Sequence, residues 1–156
     1  IAAEAYTLNK ALVDTRFDEL DPAVANRVIK GKDVTAADYL GNLRAWDGLR
    51  ARAADEMRDI DVLLCPATMV PSQPLATINA DPQTYSIYNL QYLRNTSIGN
   101  ILGLCGLSVP CGFNQAGLPV GLMIYGKPFD ELTVLRAGHA YQQATDWHLH
   151  TPSFPA

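Results

Sequence analysis

The sequence predicts an α/β fold in which helices cover a small sheet, and three observations carry that expectation. Apolar residues recur at intervals of three and four over long stretches, the pattern of helices with one buried face. Two short apolar runs flank the turn-prone residues Asn114, Gln115, Ala116 and Gly117, which reads as a hairpin. A third run, Asp61-Val-Leu-Leu-Cys with Pro66 behind it, has no polar alternation and suits a strand covered on both faces.

The amino-terminal segment places Ala5, Leu8, Leu12 and Val13 at near-helical spacing, so a helix over about residues 2–20 should bury that stripe. Asp21 followed by Pro22 supplies an oxygen cap and a ring-fixed first turn for a short helix that Gly31 should close. Thr35 with Asp38 resembles a capping box. Tyr39, Leu43, Trp46, Leu49, Ala53 and Met57 then mark one side of a long helix, whose charged side (Arg44, Asp47, Arg50, Asp55) is a solvated face. Beyond the first strand, Pro66, Pro71, Pro74 and Pro82 impose an extended loop, because proline donates nothing to a ladder and turns its predecessor away from helix. Residues 83–98 read as a further helix.

The stretch GLSVPCGFNQAGLPVGLMIYG, residues 106–126, follows. Strands over residues 107–113 and 119–125 should be covered on both faces. Gly112, Gly121 and Gly126 suit close packing or bulges there, and Pro110 suits an edge or a kink. A last helix over about residues 130–145 starts at Asp130, with Leu132, Leu135 and Ala140 as its apolar positions. The tail DWHLHTPSFPA reads as extended.

Composition excludes several classes. A chain of 156 residues, 48% hydrophobic, suits one domain with a real core, and no repeat or inner boundary is visible. The net charge of −4 comes without a basic run, which argues against nucleic acid. No apolar stretch approaches the roughly 20 residues that span a bilayer, so no membrane partner is expected. Cys65, Cys105 and Cys111 are odd in number, lack a C-x-x-C pairing and lie in apolar runs, which fits a reduced, cytoplasmic protein. The chain opens at Ile1 rather than Met, which suggests a processed product or the remainder of a longer polypeptide.

The residues with chemical potential mostly read as structural. Ser108 sits in Gly-Leu-Ser-Val-Pro rather than a G-x-S-x-G elbow, and no histidine stands near it in sequence. His139 falls within the last helix, a packed or surface position. His148 and His150 lack two further ligands, so no metal is expected, and no cofactor motif is present. Asp130 and Glu131 suit a helix start. Asn79-Ala-Asp81 lacks the rest of a calcium loop. More informative is the helix over residues 83–98, where Leu90, Leu93, Arg94 and Ser97 fall on one face. A mixed face of this kind suits a pocket wall, with Leu93 toward an apolar group and Arg94 or Ser97 toward a polar one. The competing reading leaves Arg94 solvated or paired with an acid.

Four ordered blocks resemble the carboxy-terminal part of the amidase signature family. They are Asp61-Val-Leu-Leu-Cys-Pro66, Arg94-Asn-Thr-Ser-Ile-Gly-Asn100, Asn100-Ile-Leu-Gly-Leu-Cys-Gly-Leu-Ser-Val-Pro-Cys-Gly112 and Gly117-Leu-Pro-Val-Gly-Leu-Met-Ile-Tyr-Gly126, with Trp147-His148 near the end. Cys105, Ala67 and Met123 depart from the Pro, Thr and Gln common in the family. The resemblance implies part of an α/β/α sandwich with a mixed β-sheet flanked by helices. It also implies amide-bond hydrolysis by a Ser-Ser-Lys site in a Gly/Ser-rich block that these residues do not contain. Lys10, Lys30, Lys32 and Lys127 are the lysines here, and none precedes such a run. On this resemblance residues 1–156 are a single unit, the carboxy-terminal portion of an amidase, with no catalytic residue of their own. The expected partners are a preceding amino-terminal amidase segment or chain and a small amide substrate, with a homo-oligomer left open. In the members that use glutamine, the position of Leu93 is acidic and that of Arg27 holds the carboxylate. Arg27 is kept and Leu93 is not acidic, which implies a plain amidase with Arg27, Leu90, Leu93, Arg94 and Ser97 as substrate-binding candidates. The alternative is a non-catalytic subunit or binding module of an amidase or amidotransferase complex.

Overall fold

A computed structural model describes residues 1–152. The chain divides into two compact units, Ile1–Gly48 and Leu49–Ala156. The division falls inside one continuous helix, so no loop, proline or change of composition marks it in the sequence.

The first unit contains α1 (Ala2–Thr15), α2 (Pro22–Val28) and the first part of α3 (Ala36–Glu56), with 3-10 turns at Phe17–Glu19 and Ile29–Asp33. Asp21 caps α2, its carboxylate accepting from the Ala23 and Val24 N–H groups at 2.9 and 3.1 Å. The Thr35 hydroxyl accepts from Asp38 N–H at 3.1 Å and donates to Asp38 Oδ2 at 2.7 Å, so the expected box starts α3. Tyr6, Val13 and Ala25 form the buried set. Leu8 and Leu12, expected in the buried stripe, are exposed. Tyr6 and Val13 lie seven residues apart and define the buried line, which points Leu8 away from it. Nor does Gly31 end the short helix: the chain tightens into the 3-10 turn and continues through it.

The second unit holds the remainder of α3, β1 (Leu63–Pro66), a single turn α4 (Leu75–Ile78), α5 (Pro82–Leu102), β2 (Cys105–Phe113), β3 (Pro119–Gly126) and α6 (Glu131–Ala144). The strands lie in the order β1-β3-β2, and both pairings are antiparallel. The hairpin turn closes as the sequence suggests, with Asn114 Oδ1 accepting from the Ala116 and Leu118 N–H groups at 2.9 Å each and Gly117 at φ 75°. The register slips between Pro110 and Gly112, a bulge on an edge strand where proline's missing donor costs nothing.

β3 is the covered strand. Ile124 joins Val109 and Val134 of α6 on one face, while the Tyr125 ring lies against Gly99 of α5 on the other. Coverage on both faces therefore holds for the middle strand and the α/β class with it. It does not extend to β1, where Leu63 and Leu64, on opposite faces, are 41% and 54% exposed. β1 is an edge strand of four residues, beyond the reach of the helices that cover β3. The apolar side of α6 also differs from expectation. Val134 and Gly138 are buried and Ala137 and Tyr141 half-buried, whereas Leu132, Leu135 and Ala140 are exposed. Two of the inward positions are small, so the inward stripe looks less apolar than the outward one. The tail forms a 3-10 turn at Trp147–Leu149, where an extended segment was expected, and residues 153–156 lie outside the described part.

Candidate functional site

Helix α5 is the element on which the substrate-binding candidates of the second unit stand. Asp81 starts it, accepting from the Gln83 and Thr84 N–H groups at 2.9 Å each, with Pro82 in the first turn. Gly103 ends it in the left-handed region at φ 72°. Its inner side is tied down at several points. Asn95 Nδ2 donates to the Pro66 carbonyl at 2.8 Å, and the Tyr125 hydroxyl donates to the Asn95 carbonyl at 2.9 Å. The Tyr92 hydroxyl accepts from Gln73 N–H at 3.1 Å and donates to the Pro71 carbonyl at 3.3 Å. These bonds join α5 to β1, β3 and the proline-rich loop.

Rotation about the helix axis then determines what faces outward. Leu90, Leu93, Arg94 and Ser97 share the side opposite Tyr88, Tyr92, Asn95 and Gly99. Leu90 is 65% and Leu93 45% exposed, and Arg94 is exposed beside them. Ser97 is half-buried, its hydroxyl donating to the Leu93 carbonyl at 2.7 Å. The hydroxyl is therefore committed to the helix backbone, and the polar reach of this face rests on Arg94. Arg27, the fifth candidate, is exposed in the last turn of α2 in the first unit.

Other reactive groups are held in unreactive states. Burial pushes the Cys65 thiol above its ordinary value, which keeps it a neutral thiol at neutral pH. Burial raises the Tyr125 phenol likewise. In the first unit, Lys10 lies against Asp14 and 3.3 Å from the Tyr6 hydroxyl, which itself donates to Asp14 at 2.9 Å. The hydrogen bond to Asp14 raises the Lys10 ammonium above its usual range, so this lysine is no base. Among the described residues no group of His, Cys, Asp and Glu side chains is arranged to hold a metal ion. No helix among them is long and apolar enough to cross a membrane. Ser108 lies exposed on the edge strand β2.

Two participants escaped the sequence reading, Asn95 and Tyr125, which hold the α5 face in position. The signal for them was the pair Gly99 and Gly106, both within reach of the Tyr125 ring, since small residues opposite an aromatic allow a helix to approach a strand.

Residues 2–135 match the family described as Amidase. The chain belongs to the amidase family. A glutamyl-tRNA(Gln) amidotransferase subunit from Roseiflexus sp. (strain RS-1) is 34% identical to the amidase chain over 161 residues, covering 91% of the chain and 31% of that protein. The corresponding subunit of Geotalea daltonii is 43% identical over 89 residues, covering 57% of the chain and 18% of its own length. Among solved structures, Kluyveromyces lactis allophanate hydrolase aligns with a TM-score of 0.78 at 27% identity, over 88% of the amidase chain and 22% of its own. A 6-aminohexanoate cyclic dimer hydrolase aligns with a TM-score of 0.80 at 18% identity, over 97% and 34%, a likeness of fold. The amidase chain thus spans about a third of the length of the Roseiflexus relative.

Proposed function

We propose that residues 1–156 are the carboxy-terminal portion of an amide-bond hydrolase whose serines and lysine lie outside these residues. In this reading the chain contributes strands to the parent sheet and one wall of the substrate pocket. The observation that carries it is the α5 face, tied to β1 and β3 through Asn95 and presenting Leu90, Leu93 and Arg94 together. Family membership supports the reaction class, and the uncovered leucines of β1 support a sheet that continues beyond this chain. Leu93 packs against an apolar substituent of a small amide, and the Arg94 guanidinium donates to a carbonyl or carboxylate oxygen. Ser97 holds its hydroxyl on the Leu93 carbonyl and so fixes the helix turn between the two. Arg27 is assigned a substrate carboxylate. An apolar Leu93 leaves a substrate amino group without a counter-charge, which disfavours free glutamine as the amide donor. Three free cysteines fit a cytoplasmic setting.

The test is hydrolysis by the full-length parent of a short aliphatic amide and of glutamine, followed by ammonia release. Turnover of the aliphatic amide with little release from glutamine supports the reading. Comparable turnover of glutamine would remove the role given to Leu93. A second reading, a non-catalytic subunit of an amidase or amidotransferase complex, draws support from relatives named as subunits of an amidotransferase. A parent that binds amides but releases no ammonia would favour it.

A further inference from the structure

We propose that a groove in the second unit receives an apolar segment bearing a carboxylate, supplied by the part of the parent polypeptide outside these residues, with Phe129 as its lip. The groove encloses about 510 Å³. Met57 from the end of α3 and Leu102 and Leu104 from the end of α5 form an apolar lining, and Arg50 and Lys127 place two cations on it. The Arg50 Nε–H donates to the Ile101 carbonyl at 3.1 Å and the Lys127 ammonium to the Arg58 carbonyl at 2.9 Å, which fixes both cations where they stand. Among the described residues no acidic side chain lines the groove. It lies away from the Leu90, Leu93 and Arg94 face, none of which lines it.

Phe129 points to an occupant. Its backbone sits in the left-handed region at φ 62°, where a bulky side chain is strained and glycine is at ease. The ring is nonetheless 94% exposed. Phe129 precedes the Asp130 cap of α6, the position from which an apolar side chain ordinarily staples onto the fourth helical residue, here Val134. Val134 is buried in the core with Ile124 and Val109, and Phe129 is turned out instead. A strained backbone that displays an aromatic ring beside an apolar groove is stable only if something covers the ring.

The choice of occupant rests on the carboxy-terminal reading above. Relatives about three times as long as this chain must pack their remaining residues against it somewhere. The lining favours an apolar anchor, and its two cations favour an acidic neighbour on that anchor.

Hydroxyl-radical footprinting of the intact, unmutated parent tests the proposal, with oxidation of Phe129 read by peptide mass spectrometry in native and unfolded protein. The expected result is a native rate at least about tenfold below the unfolded one, independent of protein concentration. In the same parent, Phe129→Gly and Lys127→Glu should each lower the melting temperature, although Phe129→Gly relieves the strained backbone. Native oxidation at the unfolded rate, or a Phe129→Gly parent that melts higher, would overturn the proposal, because an uncovered ring contributes nothing but strain. Protection that disappears on dilution would overturn it in favour of a second copy of the chain. The amidase assay reads a different property: a parent without amide turnover but with Phe129 protected rejects the functional reading alone, and the converse rejects the docking alone.

Discussion

Replacing Gly99 by alanine sets two opposing effects against each other in α5. In an exposed helix interior the change would stabilise by roughly 1 kcal/mol, the difference in helix propensity. Here the added Cβ would stand 2.4 Å from Tyr125 Cε1 and 3.1 Å from Cζ. Carbon atoms rest at about 3.5–4.0 Å, so the ring would have to retreat by roughly 1 Å. It has little freedom to do so, since its hydroxyl is bonded to the Asn95 carbonyl at 2.9 Å and Gly106 lies close to the same ring edge. Overpacking of a tight site costs about 1–3 kcal/mol. Weakening the tyrosine bond adds up to about 1 kcal/mol. The net expectation is a loss of about 1–3 kcal/mol, or a melting temperature lower by roughly 2–10 °C for a chain of this size. Gly48→Ala in α3 is the control, because its Cβ would meet nothing within 4 Å and only the propensity gain remains. Thermal unfolding followed by circular dichroism distinguishes the two. Opposite signs are expected, and Tyr125→Phe should reduce the Gly99→Ala penalty by releasing the ring. If Gly99→Ala stabilises as much as Gly48→Ala, Tyr125 does not brace α5 and the positioning argument collapses.

Asn95→Ala should lower the melting temperature by removing the bond to Pro66, worth about 1 kcal/mol, and in the parent it should raise KM while leaving kcat nearly unchanged, because it releases the substrate face without touching the reaction. Leu93→Ala in the parent should cut kcat/KM for an apolar amide by about tenfold or more, the effect of lost apolar contact, with stability little changed because the side chain is already exposed. The Thr84 hydroxyl, with help from the Thr84 N–H, holds the Asp81 carboxyl below its ordinary value. Its contribution is therefore complete above about pH 4 and fades as pH falls through the lowered value, so Asp81→Asn should flatten the acid limb of a stability profile measured by urea unfolding. Gly112 sits at φ 131° in the bulge of β2, so Gly112→Ala should destabilise by about 1–3 kcal/mol in the same assay.

Local chemistry was legible wherever a short sequence determines it. Asp21-Pro22, Thr35 with Asp38, and Asn114 to Gly117 each state a cap or turn through residues whose hydrogen bonds close within a few positions, and each formed as read. What failed was the choice of face. Leu132 and Leu135 are larger than Ala137 and Gly138, yet the small pair turns inward because α6 lies close against the hairpin. Leu63 and Leu64 read as doubly covered, a pattern that holds for a sheet larger than the three strands here. The α5 face was visible because 3.6-residue periodicity alone brings Leu90, Leu93, Arg94 and Ser97 together. Its fastening was not, because Asn95 reaches Pro66 across 29 residues and Tyr125 reaches Asn95 across 30, separations on which local pattern carries no information.

The tail bears on how the molecule can be observed. Trp147 lies edge-on to Phe113 at 6.1 Å and tilted against His150 at 5.7 Å, so its indole senses the closed end of the β2–β3 hairpin. The chain has one other tryptophan, Trp46, in the first unit. Each unit thus contains its own intrinsic fluorophore. Single Trp→Phe variants therefore separate the two emissions, and coincident or staggered loss of signal in denaturant tells whether α3, shared by both units, transmits unfolding from one to the other.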